Sequence, residues 1–216
     1  MLSQLKLLIE SLIRNIGGVL GRKLRFWYYK RQFKSCGNQV IIEEGVFFEN
    51  PKDMIIGNNI WIDKGVILIA GAFKPRDRQY YKKGHEFIKQ GELILRNNVH
   101  IAPLTLIQAH GGVRIGENVT IASGSKIYSL SHHYKNLNDD TDTKRYSFSS
   151  MSPIENQFLI TGNVTIGNNA AVGLNSVLLP GSNVSDGAWI AVSSIVNGND
   201  SIEENSIFSS NQKNDK

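Results

Sequence analysis

Five histidines supply most of the proton-transfer capacity this sequence offers near neutral pH: His85, His100, His110, His132 and His133. Two of them are adjacent and close the run Tyr128-Ser129-Leu130-Ser131-His132-His133, with Tyr134 after it. A neutral imidazole at such a position suits general-base work on a weak nucleophile such as an alcohol. Metal chemistry fits the pattern poorly, because His100 and His110 are ten residues apart and no two histidines are five apart, so no metal site is expected. Thiol chemistry would rest on Cys36 alone. One cysteine forbids an internal disulfide, and a free, buried thiol is the expectation.

The elements that must hold these histidines follow a period of six. Ile56, Ile62 and Leu68 lie six apart, as do Leu95, Ile101 and Ile107, then Ile115, Ile121 and Ile127. A last group runs Ile166, Val172, Leu178, Val184, Ile190 and Val196. Helices repeat at 3.6 residues and strands at 2, so neither alone gives this spacing. Sustained over most of the chain, it predicts a parallel β-solenoid with three sides and 18 residues per coil, about six coils in all. Corners need backbone with positive φ, which Gly, Asn and Asp tolerate best. Such residues sit where corners should fall, as in Gly57-Asn58-Asn59, Lys64-Gly65, Asn97-Asn98, Ser123-Gly124, Gly167-Asn168-Asn169, Pro180-Gly181 and Asp186-Gly187.

The frame breaks twice. An insertion of about residues 72–92, with net charge +3, separates Leu68 from Leu95. A second, about 129–161, opens with the histidine run and separates Ile127 from Ile166. A solenoid closes without such insertions, so both read as polar, aromatic-bearing functional loops.

The net charge of +5 is not spread evenly: residues 1–35 hold eight Lys/Arg and one Glu, a net of +7, which leaves −2 for the other 181 residues. A nucleic-acid-binding body is therefore not expected. Residues 2–16 place Leu2, Leu5, Ile9, Leu12, Ile13 and Ile16 on one stripe of an amphipathic helix, which Gly17, Gly18 and Gly21 then weaken. A basic-aromatic run from Arg22 to Arg31 follows. Two roles are open for this segment: covering the exposed end of the solenoid, or peripheral contact with an anionic membrane surface. Lys6, Glu10 and Arg14 interrupt the apolar start, and no membrane span or cleaved signal peptide is expected. The chain divides into this segment (1–35), the repeat domain (36–200) and a tail (201–216).

The repeat I-G-x-N recurs at 56–59, 115–118 and 166–169, and the stretch from Ile115 to His133 ends a coil in a Tyr-x-x-Ser-His turn before the long insertion. In these features the sequence resembles the hexapeptide-repeat sugar O-acetyltransferases, including maltose and galactoside acetyltransferases and polysaccharide-modifying relatives. The resemblance covers about residues 40–200. It implies an all-β fold, a left-handed parallel β-helix; the hand comes from the resemblance, since parallel crossovers are usually right-handed. It also implies a homotrimer with active sites between subunits and acetyl-CoA as acyl donor.

Carried over residue by residue, the resemblance makes His132 the general base. His110, His133, Tyr134 and His85 are candidate acceptor contacts, with an oxyanion donor as a further role for His110. Gly173, Leu174, Asn175, Ser193 and Ser194 stand where pantetheine would run along the last coils, and Lys213 could meet a CoA phosphate. The chain departs from the family in three ways: Ala102-Pro103-Leu104-Thr105 carries no asparagine, Ala171 replaces a tryptophan, and no lysine follows the last coil. The expected activity is O-acetylation of a sugar in a surface polysaccharide or lipid-linked glycan, at the cytoplasmic face of the membrane. A small soluble sugar or amino-sugar nitrogen is the alternative acceptor, and a non-catalytic scaffold is the alternative class.

Overall fold

The computed structural model describes residues 2–73, 79–81 and 88–210. Its body is a left-handed parallel β-helix. The first face runs from Ser35–Cys36 to Asn183–Val184, the second from Val40–Ile42 to Ile207–Phe208, and the third from Phe47–Glu49 to Ile195–Val196. Within each face the strands pair in parallel, one coil on the next.

The period of six is the core. Ile56 pairs with Leu95, Leu95 with Ile115, Ile115 with Ile166 and Ile166 with Val184. The other two faces stack in the same register: Ile62, Ile101, Ile121, Val172 and Ile190 on one, and Leu68, Ile107, Ile127, Leu178 and Val196 on the other. All fifteen side chains are buried. Each contributes about 1.5–3 kcal/mol on leaving water, and stiff aliphatic side chains stack without much further loss of rotamer freedom.

One corner is an asparagine ladder. Asn59, Asn98, Asn118 and Asn169 all adopt φ of 55–58°, and the side-chain amides of the first three each donate to the amide oxygen of the asparagine one coil on, at 2.8–2.9 Å. A second ladder uses buried hydroxyls. Ser125 Oγ donates to Gly173 O and Ser176 Oγ to Ala191 O, both at 2.9 Å.

The solenoid starts at Ser35–Cys36, which pairs with Ile55 and Ile56, at the lower bound drawn for the repeat domain. Two expectations need adjusting. The solenoid continues past residue 200, because Ile207 and Phe208 pair with Trp189 and Ile190. Cys36 is half-buried, not buried, and burial still pushes its thiol pKa up. The weak point at Gly17 and Gly18 is a break between two helices: α1 (Leu2–Asn15) stops before it and α2 (Gly18–Lys30) follows at once.

Gly21 is what lets α2 cross so close to α1, since a Cβ there would lie 1.8 Å from the Ile16 carbonyl oxygen. Arg25, fully buried, fills the junction. Its Nη1 donates to Ile16 O at 2.6 Å and Ile13 O at 3.1 Å, and its Nε donates to Ile42 O at 2.8 Å. One guanidinium thus satisfies carbonyls left over at the end of α1 and ties α2 to the first coil. Tyr29, Phe33 and Phe48 pack ring against ring beside it. The inward face of α2 therefore covers the open end of the stack.

The two insertions are not simple loops. Leu130–His132 runs antiparallel to Leu159–Thr161, which pairs in parallel with Gln79–Tyr81 from the first insertion. A small three-stranded sheet beside the solenoid joins both breaks in the repeat.

Candidate active site

His132 ends the strand Leu130–His132, and the exit of that strand from the solenoid is tightly fixed. Ser129, fully buried, donates its hydroxyl to Gln108 O at 2.7 Å and accepts the Gly111 amide at 2.8 Å. Its carbonyl accepts the Gly162 amide at 3.0 Å, where the second insertion returns. A Cβ on Gly111 would lie 2.4 Å from that same carbonyl oxygen, so only glycine fits below it.

Two cavities meet at His132. The smaller, about 220 Å³, is lined by Phe73, Gln108, His110, Leu130, Ser131, His132, Ser150, Gln157 and Leu159. The larger, about 650 Å³, includes Tyr80, His132, His133, Leu179, Pro180 and Asn197 and extends toward the last coils. His132 and Ser131 form a wall common to both.

The hydrogen bonds around His132 set its tautomer. The side-chain amide nitrogen of Gln157 donates to the carbonyls of Ser150 and Ser152. Its oxygen therefore faces His132 Nε2, at 3.4 Å. An amide oxygen only accepts, so Nε2 carries the proton and the lone pair is on Nδ1. His110 has the opposite arrangement, with Nδ1 2.8 Å from the carbonyl oxygen of Gly71 and its ring edge-on to Phe73.

The other expected contacts are distributed unevenly. His133 lines the larger cavity, and its Nδ1 lies 2.9 Å from Lys135 O. Tyr134 lines neither cavity; its ring is flanked by Lys135 and by Arg145, whose guanidinium is 4.9 Å from the ring centre. His85 and Lys213 lie outside the described residues. His100 points outward, 3.4 Å from Asp63, and is remote from both cavities.

The residues expected along the donor lie apart from His132. Gly173, Leu174, Asn175, Ser193 and Ser194 line neither cavity at His132; they occupy the corner between the second and third faces. The amides of Gly173, Asn175 and Ser193 already donate to Ile190 O, Ser123 O and Leu174 O. The Ser194 amide donates to Ser176 Oγ, and its hydroxyl is buried at the end of the hydroxyl ladder. This corner offers a ligand the exposed surface of Leu174, Asn175 and Ser193.

Gln157, Gln108, Phe73 and Gly71 were not singled out by their sequence. None lies in the hexad frame of inward residues, and Gln157 meets His132 only because the insertion folds back into a strand.

Among the described residues, no group of three or more His, Cys, Asp or Glu is placed to hold a metal ion. No helix among them is long and apolar enough to cross a membrane. No family model matches the chain. In sequence it is similar to dTDP-4-amino-4,6-dideoxy-D-glucose acyltransferase from Escherichia coli, 27% identical over 164 residues, 76% of this chain and 72% of that one. In structure it is similar to AntD, an N-acyltransferase from Bacillus cereus, in complex with dTDP and 3-hydroxybutyryl-CoA. The TM-score is 0.62 at 20% identity, covering 85% of this chain and 81% of AntD. A singly substituted AntD holding dTDP-4-amino-4,6-dideoxyglucose and coenzyme A gives a TM-score of 0.59 at 20% identity, over 79% and 76% of the two chains. The structural likeness establishes the common left-handed β-helix, and the relatives are acyl-CoA-dependent sugar acyltransferases of the hexapeptide-repeat type.

Proposed function

We propose that this chain, a hexapeptide-repeat relative of the sugar acyltransferases, moves an acyl group from acyl-CoA to an amine or hydroxyl of a small, nucleotide-linked sugar. The observation that carries the reading is the placement of His132 on the wall between two cavities of unequal size. A space of about 220 Å³ suits a single sugar ring better than a polymer. The larger space, extending toward the last coils, suits the thioester end of an extended donor. The sequence relative, which acts on a nucleotide-linked amino sugar, supports the same acceptor class.

In this scheme the acceptor nitrogen or oxygen attacks the thioester carbonyl, and Nδ1 of His132 takes the proton as the new bond forms. The tetrahedral centre collapses, the C–S bond breaks, and the CoA thiolate leaves and is protonated. Gln157 holds the ring so that the lone pair stays on Nδ1. No covalent enzyme intermediate is needed.

Two further parts of the reading concern partners. A homotrimer is supported by the apolar surface that the solenoid leaves exposed, including Trp61, Trp189, Ile195 and Ile207. Peripheral membrane contact is supported by α1 and α2, whose outward residues include Leu8, Leu12, Leu24 and Trp27 beside exposed Lys23, Lys30 and Arg31. That surface favours a second reading of the acceptor, a membrane-borne or polysaccharide glycan.

Release of the CoA thiol, followed with acetyl-CoA and a panel that includes dTDP-4-amino-4,6-dideoxyglucose, free sugars and isolated polysaccharides, tests the function. His132→Ala should lower turnover about 10²–10⁴-fold, the usual scale for a lost general base, with the oligomer unchanged. Near wild-type turnover in that variant would remove His132 from the chemistry.

A further inference from the structure

We infer that His110 anchors the acceptor sugar by accepting a hydrogen bond at Nε2, from a sugar hydroxyl or from the reacting amine. This rests on the reading of the smaller cavity as the acceptor site.

The argument begins with the fixed proton. The partner of His110 Nδ1 is the carbonyl oxygen of Gly71, at 2.8 Å. A carbonyl only accepts, so Nδ1 carries the ring proton, and in the neutral ring Nε2 keeps its lone pair. Among the described residues Nε2 has no hydrogen-bond partner, although the ring lines the cavity. The tautomer is held from outside the cavity: Gly71 starts the first insertion, its φ of 96° is open to glycine, and its amide is fixed by Gly91 O at 2.8 Å. The ring is thus an acceptor set in advance in a pocket it shares with Phe73, Leu130 and Leu159, with Gln108 and Gln157, and with Ser131, Ser150 and His132.

This assignment separates the two histidines. His132 presents its lone pair at Nδ1 from the wall common to both cavities, where a proton leaves the attacking atom. His110 lines the acceptor cavity only. It cannot serve as an oxyanion donor in this tautomer, because its one N–H is committed to Gly71.

Two substitutions divide the ring's functions. His110→Asn keeps a donor near the Nδ1 position for Gly71 O and removes the Nε2 acceptor. His110→Gln places an amide oxygen near the Nε2 position. The Asn variant should raise the acceptor KM roughly tenfold to a hundredfold, the scale of one lost buried hydrogen bond, with a smaller change in kcat. The Gln variant should recover most of that loss. In the free wild-type protein, two-bond ¹H–¹⁵N correlation of the imidazoles should place the His110 proton on Nδ1.

A proton on Nε2 would overturn the inference without touching the proposed reaction. So would an Asn variant with unchanged acceptor KM. Loss of kcat in both variants at unchanged KM would make His110 a proton-transfer group instead and overturn its role as an anchor. A wild-type protein that transfers acyl groups to no sugar in the panel would overturn the reaction and the inference together.

Discussion

At the scale of single residues, the site depends on which ring nitrogens carry protons, and both answers come from main-chain carbonyls. Ser150 and Ser152 orient the Gln157 amide, which orients His132; Gly71 orients His110 directly. Under the proposed reaction Gln157 is a positioning residue whose effect passes through His132. Gln157→Met keeps the approximate volume of this buried side chain and removes the acceptor for Nε2–H. It should lower kcat about tenfold to a hundredfold, the range for a lost orienting partner, with little change in acceptor KM. Unchanged kcat would show that His132 needs no such support. His132 itself was legible in the sequence because it stands in a local motif at the break of a strict period. Gln157 was not: it lies 25 residues away, and the contact exists only because the insertion returns as a strand against Leu130–His132.

At the scale of elements, the β-helix was legible almost residue by residue, since one rule governs it: every sixth side chain must fit the coil above and the coil below. The spacings of the fifteen aliphatic residues even count the inserted residues correctly, as the pairing of Ile56 with Leu95 and Ile115 with Ile166 shows. The α1–α2 junction was hidden for the opposite reason. Glycine lowers helix propensity, yet Gly21 is required there by the close approach of Ile16, a tertiary demand that no local pattern reports. Arg25 completes that junction. Arg25→Met, which retains the hydrocarbon stem, should cost about 2–4 kcal/mol by leaving the Ile13, Ile16 and Ile42 carbonyls unpaired. Urea unfolding would register this as a lower midpoint. An unchanged midpoint would mean that water or chain movement satisfies those carbonyls and that the junction is not held by the guanidinium.

At the scale of the whole molecule, the charge is segregated: residues 1–35 carry +7 and the rest −2. The structure gives this segment two faces. Inward, Gly21, Arg25 and Tyr29 close the solenoid; outward, Leu20, Leu24 and Trp27 recur at helical spacing in solvent, with Leu5, Leu8, Ile9 and Leu12 exposed on α1. Leu8 and Leu12 are 57% and 61% exposed, a cost in water that capping does not explain. Cations beside an apolar stripe match an anionic lipid surface, where headgroup attraction adds to apolar burial. Wild-type protein should therefore co-sediment with phosphatidylglycerol-containing vesicles and much less with neutral ones, and salt should weaken binding. The double substitution Leu8→Glu and Leu12→Glu should abolish co-sedimentation while leaving turnover on a soluble acceptor intact, because both residues are far in sequence and fold from the cavities at His132. Binding that is equal for neutral and anionic vesicles, or unaltered by the double substitution, would assign this face to protein contact instead. A change in oligomer mass for the double variant would then identify a second copy of the chain as what covers it.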